Sequence, residues 1–235
     1  MTYAALDDNL RLLALGKGDL NEVLAFVGGL SQAVVAVSAP QHPNLGVMDR
    51  QEVRERLSPP PKPGRWRGFR LAEYELRQHH ISCHRTASLE KDCPLWVQKG
   101  FALYRRLEGL GFKAYPAESD LQYIEVYPYA SFCVLLERVP FPKTSLEGRI
   151  QRQLVLYEEG LRIPDPLHIF DEITRYNILH GRLPLDELYS KTELDALVAA
   201  YSAKLAATQP EGVTILGDPQ EGQLVLPVAE LKRSY

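Results

Sequence analysis

The sequence predicts a single α/β domain, and three of its features do so. Ala33-Val34-Val35-Ala36-Val37 is an unbroken, largely β-branched run of the kind that forms a buried strand. Leu95 to Leu110 places Val97, Phe101, Tyr104, Leu107 and Leu110 at helical spacing. Near the carboxyl end, Gly212 to Leu216 and Gln223 to Pro227 flank the turn-forming segment Gly217-Asp218-Pro219-Gln220-Glu221-Gly222, which predicts a hairpin. With 235 residues, 45% of them hydrophobic, the chain can bury one substantial core, so residues 1–235 are expected to fold as one unit.

The elements follow in order. Thr2 to Leu6 and Leu10 to Leu15 are short apolar runs joined by Asp7-Asp8-Asn9, which suits an antiparallel hairpin. Asp19 can cap a helix from Leu20 to about Gly28, and Ser38-Ala39-Pro40 ends the strand Ala33–Val37. From about 41 to 92 the periodicity is lost. Ser58-Pro59-Pro60-Pro61-Lys62-Pro63-Gly64 stiffens the middle of this long, Pro-rich, elaborated connection. Beyond the helix at 95–110, Gln122 to Val126 reads as a strand stopped by Pro128. Helices are expected over Tyr129 to Leu136, Ser145 to Gly160 and about Leu167 to Leu179. Ser190 with Glu193 forms a capping box before the long apolar run Leu194, Leu197, Val198, Tyr201 and Leu205.

Composition narrows the function. A formal net charge of −3 gives the molecule no global attraction for a polyanion, so any nucleic-acid contact must come from a local basic patch. Cys83, Cys93 and Cys133 are too few and scattered for a disulfide framework and fit free thiols in a reducing, cytoplasmic setting. No apolar run reaches the roughly 20 residues of a membrane span, and Met1 to Asp8 lacks a signal-peptide pattern. No membrane partner is expected; oligomeric state is not legible.

Five stretches in order carry a family resemblance: Val35-Ala36-Val37-Ser38-Ala39-Pro40, Phe69 to Arg77 (Phe-Arg-Leu-Ala-Glu-Tyr-Glu-Leu-Arg), Glu125-Val126-Tyr127-Pro128, Leu146-Glu147-Gly148-Arg149, and Asp195 to Tyr201. Together they resemble the predicted ribonuclease-H-like nucleases of the domain of unknown function 429 family. The resemblance implies a ribonuclease-H-like mixed sheet flanked by helices, with acidic residues converging at one edge to hold Mg²⁺ or Mn²⁺. Two hard cations about 4 Å apart need several oxygen ligands to activate water against a phosphodiester. It assigns Glu125 and Asp195 as catalytic and metal-binding residues.

The chain departs from the pattern in two places. Ser38 stands where the family's strand motif carries Asp, and the family's first strand has no counterpart, since Thr2–Leu6 aligns with the second. An alternative alignment makes Thr2–Leu6 the first strand and Asp7 its carboxylate, at the expense of a hairpin partner for Leu10–Leu15.

Each residue also has an innocent reading. Glu125 near a strand end can simply be exposed, and Asp195 in a helix's first turns is favoured by the helix dipole. His79, His80, Cys83, His84 and Cys93 meet no standard zinc spacing. Between positions 50 and 85, Lys and Arg outnumber Glu nine to four. Arg65, Trp66, Arg67 and Arg70 there mix charge with aromatic surface, as nucleic-acid contacts do, although such runs are commonly solvated faces. The expectation is a degenerate metal-dependent nuclease with a nucleic-acid-binding or regulatory role. It needs no cofactor if inactive. The rival readings are an active Mg²⁺- or Mn²⁺-dependent nuclease whose first strand lies upstream of Met1, and a protein-interaction scaffold.

Overall fold

The computed structural model describes residues 1–235 and holds a mixed α/β arrangement. β1 (Thr2–Leu6) and β2 (Leu12–Lys17) form an antiparallel hairpin. Asp19 then caps α1 (Leu20–Gly28), its carboxylate accepting from Asn21 N and Glu22 N. β3 (Ala33–Val37) follows with the bounds its β-branched run dictates.

The connection from 41 to 92 is more ordered than its loss of periodicity predicts, for it contains α2 (Gln51–Arg56) and α3 (Leu71–Gln78). Both are short and charged, and what anchors the region is scattered in sequence: Val47, Met48, Phe69, Ala72, Leu76 and Ile81 are all buried. Next come α4 (Leu95–Gly109), the two-residue β4 (Lys113–Ala114), β5 (Leu121–Glu125) and α5 (Pro128–Leu135). α6 (Leu146–Glu158) follows under a Ser145 cap.

The single helix expected over 167–179 is two, α7 (His168–Glu172) and α8 (Arg175–Leu179). Ile173 and Thr174 are extended, and the Thr174 hydroxyl caps a fresh helix by accepting from Asn177 N. Phe170, Ile178 and Leu179 are exposed, so no core holds a continuous helix together. α9 (Lys191–Thr208) starts on the capping box of Ser190 and Glu193, and β6 (Thr214–Asp218) and β7 (Gly222–Leu226) make the terminal hairpin.

The main sheet has five strands in the order β3-β5-β7-β6, with β4 also on β5. β3 and β5 are parallel in full register, from Ala33 opposite Leu121 to Val37 opposite Glu125. β7 joins at the far end of β5, where Glu125 faces Leu224. Val34, Ala36, Ile124 and Val126 pack toward α9. Val35, Val37 and Tyr123 pack toward α1 and α4. Ala33 N bonds Asp120 O and Val126 N bonds Val37 O, so the odd-numbered residues of β3 face β5. The backbone groups of Val34 and Ala36 point to the other edge, where β3 has no strand partner.

No helix is long and apolar enough to cross a membrane.

Candidate functional site

Parallel strands deliver loops and ligands at their carboxyl ends. Here the ends of β3 and β5 open into a cavity of about 660 Å³, whose lining includes Ser38, Glu125 and Asp195. α4 approaches the end of β3 closely enough that a Cβ on Gly100 would meet Ala39 Cβ at 2.3 Å, and Tyr104 donates its hydroxyl to Ala39 O at 2.9 Å. The strand end is therefore fixed against the helix.

The inner end of the cavity is a buried network, complete except for Arg70 Nε, which has no hydrogen-bond partner. Arg70, only 1% exposed, reaches Glu125 with both guanidinium nitrogens, Nη1 to Oε1 and Nη2 to Oε2, each at 2.8 Å. Nη2 also donates to Glu221 O at 2.9 Å, and Glu125 Oε2 accepts from Gln41 N at 2.8 Å. Two further buried carboxylates stand around the same guanidinium. Glu73 accepts from Arg70 N, Thr86 N and the Thr86 hydroxyl, and Glu221 from Leu45 N and Leu71 N. Burial alone would lower the Arg70 pKa, but Glu125, Glu73 and Glu221 together more than offset it and the net direction is up. Burial pushes Glu73 up, against the pull of Thr86 and Arg70.

Gly222 is a condition of this packing. Its φ is +100°, and a Cβ there would sit 2.7 Å from Arg70 Nη2 and 2.8 Å from Gln41 Cβ.

The outer end is built differently. A Cβ on Gly148 would meet Pro142 O at 2.0 Å, so this glycine lets the 140–143 loop lie directly on α6. Gln151 takes Phe141 N, and Arg152 Nη1 donates to both Phe141 O and Gly148 O at 2.8 Å. The loop thereby brings Phe141 and Lys143 to the cavity, where Lys143 Nζ pairs with Asp195 at 3.0 Å across a solvent-exposed edge.

Glu125 and Asp195 thus line one cavity yet share no partner, because Glu125 turns toward α3 and Asp195 toward the 140–143 loop. Ser38 is exposed on the wall. Of the residues expected to contact nucleic acid, Arg65 and Arg67 are exposed outside the cavity and Trp66 lies under Arg54, 4.5 Å from its guanidinium. Arg70 requires correction: it is an interior ion-pair partner whose two terminal nitrogens are spent on Glu125 and on Glu221 O. Asp7 caps its own turn, accepting from Asn9 N and Arg11 N, and is not among the residues that line this cavity.

The donors fit a divalent metal poorly. Both oxygens of Glu125 are spent on a guanidinium, Asp195 holds an ammonium, and no three His, Cys, Asp or Glu side chains gather as a ligand set. The sequence reading missed Glu73, Glu221, Lys143 and Arg152. Glu73 alone had a signal, since it lies inside the Phe69–Arg77 stretch that carried the resemblance.

Compared with protein-family models, with curated proteins and with solved structures, the chain matches none.

Proposed function

We propose that this is a ribonuclease-H-like protein that has exchanged metal-dependent phosphodiester cleavage for nucleic-acid binding at the ends of β3 and β5. One observation carries the reading: the Arg70 guanidinium occupies both oxygens of Glu125. A cation fixed by the fold supplies the charge neutralisation that a bound metal would otherwise bring, and it cannot activate a water. Ser38 in place of an acid works in the same direction. The opening hairpin, the parallel pair β3 and β5 and the long α9 packed on them are consistent with the ribonuclease-H-like order of elements. The unpartnered edge of β3 is where that order departs from it.

The test has two arms. Purified protein incubated with Mn²⁺ or Mg²⁺ and single-stranded, duplex or hybrid substrates is expected to leave them intact. Metal-dependent cleavage that disappears in Glu125→Gln or Asp195→Asn would overturn the proposal. Fluorescence anisotropy with labelled single strands is expected to show binding that weakens steeply with salt. No binding at low salt would equally overturn it.

A further inference from the structure

We infer that the outer half of the cavity receives one nucleotide, gripped at its phosphate by Arg152 and Lys143 and stacked at its base on Trp96 or Phe141. The inference rests on the nucleic-acid-binding reading above and names the unit that is bound.

Arg152 is the central observation. It is 3% exposed, yet only its Nη1 is engaged, on Phe141 O and Gly148 O, while Nε and Nη2 make no hydrogen bond and the side chain lines the cavity. A guanidinium held rigid by two backbone carbonyls with its remaining donors free is prepared to bind an anion in a bidentate manner. Lys143 adds a second cation, shared with Asp195.

The lining charges, Arg70, Arg85, Lys143 and Arg152 against Glu73, Glu125 and Asp195, leave a cationic excess. At the outer end Arg152 and Lys143 face the single carboxylate of Asp195.

The rest of the wall suits a planar ring. Trp96 is 49% exposed and Phe141 56% exposed, both bordering the cavity. Exposed aromatics beside unpaired cations form the pairing that binds bases through their faces and phosphates through charge. The volume of about 660 Å³ lies in the range of small-ligand sites and is too narrow to admit a duplex. A free mononucleotide and the terminal nucleotide of a strand present the same chemistry here.

Isothermal titration of the full chain with adenosine monophosphate, adenosine and inorganic phosphate tests the unit. The monophosphate is expected to bind at least tenfold more tightly than either fragment. Trp96→Ala and Lys143→Ala, both at exposed positions, are each expected to weaken it about fivefold or more. Arg152→Lys is expected to weaken it about tenfold, with thermal unfolding reporting whether that variant is folded. Monophosphate binding no tighter than phosphate, or unmoved by both exposed substitutions, would overturn the inference.

A 5′-phosphorylated oligonucleotide and its unphosphorylated twin separate the two claims. Tighter binding of the phosphorylated strand supports the inference with a strand end as source. Equal binding of both, with no response to the mononucleotide, sinks the one-nucleotide site and leaves nucleic-acid binding standing. Mononucleotide binding without oligonucleotide binding does the reverse.

Discussion

The two ends of the cavity solve opposite problems with similar residues. At the inner end Arg70 meets Glu125 through two 2.8 Å contacts, buried and packed closely against Gly222. At the outer end Lys143 meets Asp195 by one contact of 3.0 Å, with side chains 53% and 24% exposed, while Arg152 keeps donors free. The buried pair cannot be released without leaving a charge in a dry interior. The exposed pair can open toward a ligand at little cost. An ion pair in a cavity is therefore not in itself a sign of function; its solvation decides whether it is structure or reserve.

The comparison breaks first at Arg70. Arg70→Met leaves Glu125 buried without its partner and is expected to destabilise the protein by about 3–5 kcal/mol in urea denaturation. Arg70→Met combined with Glu125→Leu is expected to recover much of that loss. If the double variant is no more stable than the single one, the pair is not the coupled unit described. Gly222→Ala comes next, at about 1–3 kcal/mol, since it combines a left-handed backbone with contact against Arg70. Lys143→Ala should cost less than about 1 kcal/mol by the same measurement, and a larger effect would erase the distinction between the ends.

The smallest effect is one of pH. Burial raises the Glu73 pKa above its ordinary carboxylate value, so the folded state holds that proton more tightly than the unfolded chain. The group's contribution is fully present below the unfolded pKa and is lost as pH rises through the folded one. Relative to the parent, Glu73→Gln is therefore expected to gain stability on going from about pH 4 to about pH 7. A difference in stability that stays flat over that range would show that Glu73 titrates normally.

What was legible in the sequence was local. The β-branched run gave β3 to the residue, Asp19 marked α1, and the Ser190–Glu193 box marked α9. Glu125 and Asp195 were placed on the right elements, and both reach the cavity. Nothing along the chain announces that Arg70 crosses 55 positions to reach Glu125, because ion pairing between distant segments leaves no periodic trace. The same blindness made Arg70 look like its exposed neighbours Arg65 and Arg67. α3 was lost for a related reason: it is short and charged, and Glu221, 150 positions away, supplies the acceptor for Leu71 N at its start.

The small approach at Gly222 bears on the order in which the molecule is assembled. Arg70 waits on Glu221 O and Gly222 O, 151 and 152 positions later, and Leu45 N waits 176 positions for its Glu221 acceptor. A chain growing from its amino end can form β1–β2 and even pair β3 with β5 while this interior is still wet. Only when the final hairpin emerges do Arg70 and Glu125 lose their water. Contacts of such long separation slow folding, so this interior is expected to close after the local hairpins and helices have formed.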